Sequence, residues 1–265
     1  MNNFDRDLGQ YLGNDAAATL LAHKKTFIAL DASDEPTTLT SSKIGGHGYL
    51  PLTTKYPVNR VGQPLALLAQ INFSEMPTLA PFPDHGLLAF YVDYFDDLAG
   101  MSAQDRTKQD GFRVLYFDDT TAPAYPEHVL EVLFASIKSD DWLEIVSQEK
   151  RLTGKLAESV PFSESLEFEA ATGDSFYTFG DRYPENIFGD LINALSFQNG
   201  IGCYPAFTQG DPRREISLYD TVLFQLDSNI ETVRWGDNGI GNFFINSDQL
   251  QAKDFSDVIY TWDGY

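Results

Sequence analysis

Three short patterns occur twice in this 265-residue chain, in the same order. Ile44-Gly45-Gly46 precedes Leu67-Leu68-Ala69-Gln70-Ile71-Asn72, then Gly86-Leu87-Leu88-Ala89-Phe90-Tyr91. Ile201-Gly202-Cys203 precedes Val222-Leu223-Phe224-Gln225-Leu226-Asp227, then Gly239-Ile240-Gly241-Asn242-Phe243-Phe244. The matched anchors lie 157, 155 and 153 residues apart, a slippage of two residues per step. A repeat of this kind constrains the fold more than any single segment, because each copy is one supersecondary unit. Each reads as a glycine turn, an extended segment, a strand with a central Gln, a loop and a second strand. The expected fold is α+β: a single compact domain over 1–265 made of two duplicated units, approximately 42–135 and 199–263. Its strands are mainly antiparallel and its helices few.

Outside the repeat, the first 25 residues read as a helix, with Phe4, Leu8, Tyr11 or Leu12, Leu20 and Leu21 at helical spacing. Gly9 and Gly13 weaken its first half, so two pieces are expected. Thr26 to Leu30 reads as a short strand. Leu67 to Ile71, Leu87 to Val92, Arg113 to Phe117 and Val129 to Phe134 are apolar runs of strand length. A second helix is expected from about Asn186 to Phe197, where Ile187, Leu191 and Leu195 form a stripe and Asn199-Gly200 supplies a left-handed stop.

Charge excludes whole classes of partner. Asp and Glu number 39 against 18 Lys and Arg, a net charge of −21. Residues 1–130 contribute −7 and residues 131–265 contribute −14. Such a field repels phosphate backbones and anionic lipid, so neither nucleic acid nor membrane is an expected partner. The stretch from Met1 to Gly13 has no apolar run, no segment approaches a membrane span, and Cys203 is the only cysteine. A cytoplasmic protein without an intrachain disulfide is expected. The sequon Asn72-Phe73-Ser74 is disregarded on that ground.

Four stretches, taken in order, resemble the YwqG-like family, a bacterial domain of unknown function. They are Ser42 to Gly46 with Tyr49-Leu50-Pro51; Gly62 to Leu65 continuing into Leu67 to Phe73, with Phe82-Pro83 and Gly86 to Leu88; Gly202 to Pro205 with Gln209 to Arg213; and Leu223 to Asp227 with Trp235-Gly236-Asp237, Gly239 to Ile245 and Tyr260 to Asp263. Two turn positions depart from the family pattern: Gly48 stands where members often carry Pro, and Cys203 where Gly is frequent. The resemblance implies a fold type and brings no established activity.

No catalytic set emerges. His23, His47, His85 and His128 form no His-Glu-x-x-His pattern and no His-x-x-x-His pair. A Cys203 nucleophile would need His47 or His85 brought close by the fold, and a lone turn cysteine is more often structural. Asp96-Asp97, Asp118-Asp119 and Asp140-Asp141 lack calcium-loop spacing and read as solvated turns. No catalytic residue, metal or cofactor is therefore expected.

Six residues stand out as ligand-binding candidates. Gln70 and Gln225 interrupt apolar strands at matched positions, so each either satisfies nearby backbone or floors a pocket where the halves meet. Asp211 and Arg213, with Gln209 and Arg214 beside them, form either an internal salt bridge or an anion grip. Trp235 and Asp237 suit a hairpin anchor or a site for a sugar or cation. The functional expectation is a non-catalytic macromolecule-binding protein, immunity-like in its specific form and directed at a basic protein. Residues 158–190 hold eight acidic side chains against Arg182 alone, with Phe162, Phe168, Phe176, Tyr177 and Phe179 as apolar anchors or as core. The alternative is a small-ligand-binding protein, or a hydrolase with its site between the halves drawn from Asp211, Arg213, Cys203 and Asp237.

Overall fold

The structure, a computed structural model, describes residues 3–137, 142–195, 198–213 and 218–264. At the N-terminus the expected helix is two: α1 (Asn3–Leu12) and α2 (Asn14–Leu21) break at Gly13, whose φ of 79° only glycine adopts freely. Leu8, Leu12, Ala17 and Leu20 are buried against Phe162, Phe168, Phe176, Phe179, Phe188 and Leu191. That second set comes from α4 (Leu166–Thr172), α5 (Phe176–Gly180), α6 (Glu185–Leu195) and the segment before them. The aromatic residues of the acidic stretch thus form a helical core; Tyr177, 64% exposed, stays outside it. The final residues of the expected Asn186–Phe197 helix lie outside the described residues.

The strands are β1 (Lys25–Ser33), β2 (Lys43–Ile44), β3 (Ala66–Asn72), β4 (Leu87–Val92), β5 (Phe112–Phe117), β6 (Lys150–Ser159), β7 (Gly200–Ile201), β8 (Thr221–Asp227), β9 (Ile240–Ile245) and β10 (Ile259–Asp263). They form one antiparallel sheet in the order β10-β9-β8-β7-β1-β6-β2-β3-β4-β5. At its centre β1 and β6 pair over their whole shared length, from Lys25↔Ser159 to Ser33↔Arg151. The remaining α3 (Glu127–Ile137) contains the Val129–Phe134 run, which is helix rather than strand. Only Leu130 is buried there while Val129 and Val132 are exposed, and Pro126 immediately before Glu127 opens the first turn. α7 (Ser247–Gln251) links β9 to β10.

On either side of the central pair the ladders match. β3 and β4 run from Ala66↔Val92 to Asn72↔Leu87 with a bulge between Leu67 and Ala69. β8 and β9 run from Thr221↔Ile245 to Asp227↔Ile240 with a bulge between Val222 and Phe224. Lys43 faces Gln70 where Gly200 faces Gln225. Phe73 N–H donates to Gly86 O at 2.9 Å, and Ser228 N–H to Gly239 O at 3.1 Å.

The sheet curls until its ends approach, giving a nearly closed barrel. Phe112 of β5 and Tyr260 of β10 place their rings 5.2 Å apart, and Tyr260 N–H donates to Arg106 O at 3.0 Å. Inside, Phe90 lies 4.8 Å from both Phe224 and Phe243. Burying each such side chain contributes about 1.5–3 kcal/mol. On the outer surface, a cluster around Tyr49, Leu67 and Tyr91 covers one side, and a cluster around Phe27, Val222 and Phe244 the other.

Candidate functional site

The two glutamines are fully buried, and each staples a loop to the outer face of its strand. Gln70 Oε1 accepts from Tyr49 N at 3.0 Å, while its Nε2 donates to Leu39 O at 2.9 Å and Ser41 O at 2.6 Å. Gln225 Oε1 accepts from Ala206 N at 2.8 Å, and its Nε2 donates to Gln198 O at 2.5 Å. An amide is suited to this task because it carries both a donor and an acceptor at the end of one side chain. Their polar groups are engaged in structure, and the interior where the halves meet is filled by phenylalanine rings.

The remaining sequence candidates gather at one end of the sheet. Arg213, 4% exposed, grips Asp211 through Nε and Nη2, at 3.0 and 2.6 Å, and Glu167 Oε2 at 2.6 Å. Its Nη1 donates to Tyr219 O at 3.0 Å, and its guanidinium lies 4.4 Å from the centre of the Phe244 ring. Burial by itself would lower the Arg213 pKa, but the two carboxylates outweigh it and the net direction is upward. Asp211 also accepts from Leu166 N at 3.2 Å, so the group ties the loop to the start of α4. This is the internal salt bridge rather than an exposed anion grip. Arg214 lies outside the described residues.

Above that group runs a surface groove of about 610 Å3, lined among others by Asp211, Asp237, Asp263, Trp262, Met101 and Arg106. Asp237 is exposed. Asp263 Oδ2 accepts from Thr208 N and Gln209 N, both at 2.9 Å, while Oδ1 is buried with no hydrogen-bond partner. Burial pushes the Asp263 carboxyl above its ordinary pKa, and the two N–H donors counter part of that rise. Trp235 is fully buried beneath, its ring 5.9 Å from that of Trp262, which donates Nε1–H to Leu98 O at 2.7 Å. Trp235 is therefore a core anchor, and the aromatic face at the groove belongs to Trp262.

A second concavity, of about 300 Å3, lies beside β2 and has no counterpart among the sequence candidates. Lys43 is 0% exposed and donates Nζ–H to Glu149 Oε2 at 3.0 Å. Glu149 Oε1 accepts from the Thr37 hydroxyl. Gly45 and Gly46 have φ of 66° and 65°, and a Cβ on Gly46 would lie 1.8 Å from Glu149 Oε2. Glycine there leaves the space that the carboxylate occupies. Across from it stand Tyr94, Phe134 and Trp142, with Trp142 5.2 Å from Tyr94 and 5.9 Å from Phe134. His47 lies 5.4 Å from Phe134, and burial lowers its pKa, so its imidazole is neutral at neutral pH. The Ile44-Gly45-Gly46 pattern marked the turn in the sequence. Glu149, 106 residues from Lys43, carried no local signal.

Cys203 and His85 stand apart from both of these concavities. Cys203 is fully buried among Phe27, Phe207, Val222 and Phe244, and burial pushes its thiol up to about 12, leaving it protonated and inert at neutral pH. His85 sits between Asp84 and Asp118 at the surface. Among the described residues no group of three or more His, Cys, Asp or Glu is placed to hold a metal ion. Asp118 pairs with Lys253 and Asp119 closes a turn onto Thr121 N; Asp140-Asp141 lies outside the described residues. No described helix is long and apolar enough to cross a membrane.

Fold and sites together define a curled antiparallel-sheet protein whose surface concavities include an acidic one and one walled by aromatic rings. The chain belongs to the family described as Domain of unknown function (DUF1963), whose profile matches residues 42–264. No curated protein matches the chain.

Proposed function

We propose that the chain is a non-catalytic binding protein of YwqG-like type in the bacterial cytoplasm, built from two duplicated halves and directed at a basic protein partner. An immunity-type protein that neutralises a basic toxin is its specific form. The groove of Asp237, Asp263 and Trp262 carries this reading. A lysine or arginine side chain entering it meets carboxylates and an indole face, and a cation over an indole gains about 0.5–2 kcal/mol beyond the ion pair. The net charge of −21, twice as dense in the second half, adds long-range attraction that raises the association rate more than the affinity. The matched ladders and bulges on either side of β1 and β6 support the duplication.

The charges of the acidic stretch divide between surface and core. Glu167 is held by buried Arg213, so reversing it would unfold the loop rather than probe a surface. The test uses exposed Asp237 with Trp262. Basic proteins captured from native lysate by the wild type are compared with those captured by Asp237→Lys/Trp262→Ala, at low and at high salt. Loss of a captured basic protein in the variant, and weakening by salt in the wild type, are expected. Capture indifferent to both overturns the reading.

Small-ligand binding is a second reading, favoured by one observation: the aromatic-walled concavity beside β2, whose volume falls at the small end of ligand pockets.

A further inference from the structure

The geometry points to the cavity beside Gly45-Gly46 as a site for a small organic ammonium ion. This inference rests on the small-ligand reading and names its ligand class; it is independent of the basic partner at the groove. Three features carry it. First, the walls are aromatic: Trp142 stands edge-on to Tyr94 and Phe134 at ring distances of 5.2 and 5.9 Å. Faces and edges set at right angles around a small space are the arrangement in which proteins hold alkylated ammonium groups. Secondly, the cavity presents a carboxylate whose position is built rather than incidental. Glu149 is fixed from behind by fully buried Lys43 and from the side by Thr37, and Gly46 leaves room for it. It remains 29% exposed and lines the cavity.

Thirdly, the surrounding charge excludes the opposite class. Glu144 also lines the cavity, and Glu127 and Glu131 act on His47 from α3. Lys43 is already paired with Glu149, and His47 is neutral at neutral pH, so neither offers a positive charge to an anionic ligand. Trp142 Nε1–H is buried with no hydrogen-bond partner. A short alkylammonium ion satisfies all three features.

Choline and its uncharged carbon isostere, dimethylbutanol, are the probes. Binding is followed by indole resonances in nuclear magnetic resonance, which separate Trp142 from Trp235 and Trp262, and in Trp142→Leu by the methyl resonance of each probe. Choline is expected to saturate the Trp142 resonance and to bind about tenfold more tightly than the isostere. Trp142→Leu, checked for folding by its melting transition, is expected to abolish that preference, and Asp237→Lys to leave it intact. Glu149→Gln is expected to weaken choline alone; should that variant fail to fold, Trp142→Leu decides. The inference is overturned by equal binding of the two probes, by no saturation at millimolar choline, or by a charge preference that survives Trp142→Leu. It is equally overturned if Asp237→Lys removes the preference, which would place the cation at the groove.

Discussion

The two flanks of the sheet share a ladder and differ in what they bury. Gln70 and Gln225, Gly45 and Gly202, and both bulges occupy matched places because a loop staple, a left-handed turn and a register shift each demand one residue type or one backbone geometry. Elsewhere the matched positions diverge. Leu88 in β4 holds the place in its ladder that Gly241 holds in β9, where a Cβ would meet the Trp235 ring at 2.3 Å. One flank fills the barrel with a leucine, the other with a tryptophan from a loop. Lys43 answers to Gly200, and Asn72 to Asp227. Gly46, with φ of 65°, answers to Cys203, which keeps ordinary backbone and turns its side chain into the cluster around Phe27, Val222 and Phe244. The lesson is that backbone accounting fixes the residue type at a position, whereas packing and charge leave it free to differ. The first flank carries a cavity with a buried lysine, the second a groove over a buried arginine.

Arg213 and Lys43 offer the sharpest way to break this comparison. Arg213→Leu strands Asp211 and Glu167, whose side chains are only 4% and 13% exposed, and is expected to cost about 3–5 kcal/mol in urea unfolding. Lys43→Met strands only Glu149, which water reaches, so its cost should be clearly smaller. Equal losses would show that the two buried cations play the same structural part.

Next in size are the staples. Gln70→Leu orphans three backbone groups and Gln225→Leu two, so losses of about 3 and about 2 kcal/mol are expected, in that order. The reverse order would mean that the loops, not the amides, carry the stability.

Asp227 sharpens the comparison through pH. Its Oδ2 is buried and unpartnered, and burial pushes its pKa up to about 6 from an ordinary 3.8. The folded state therefore holds the proton more tightly than the unfolded chain, and stability falls as pH rises from about 4 to about 6. Asp227→Asn, which copies Asn72, should gain on the order of 2 kcal/mol above pH 6 and nothing below about pH 4. A gain that does not vary with pH would assign the effect to packing. The smallest effect belongs to the centre of the sheet. Lys155 and Asp31, both more than half exposed, form an ion pair whose loss in Lys155→Ala should stay within about 0.5 kcal/mol.

Much of the frame is legible in the sequence. The runs Leu67 to Ile71, Leu87 to Val92 and Arg113 to Phe117 all fall in antiparallel strands, because apolar runs bounded by turn residues are local signals. The break at Gly13 was legible for the same reason. Val129–Phe134 was not, since a short apolar run fits a strand and a helix equally, and Pro126 decided between them. Asp211 with Arg213 was visible as a two-residue spacing, whereas Glu167, 46 residues from Arg213, was not.

By itself, then, the sequence determined the apolar strands β3, β4 and β5, the turns around them, the places of Gln70 and Gln225 and the acidic field, each encoded within a few residues or in bulk composition. Tertiary structure alone decided that β1 and β6 meet at the centre, that the sheet curls until Phe112 reaches Tyr260, and that Lys43 finds Glu149. Those contacts join residues about a hundred or more positions apart. Nothing in local propensity selects one such partner over another; only burial of both in one folded core does.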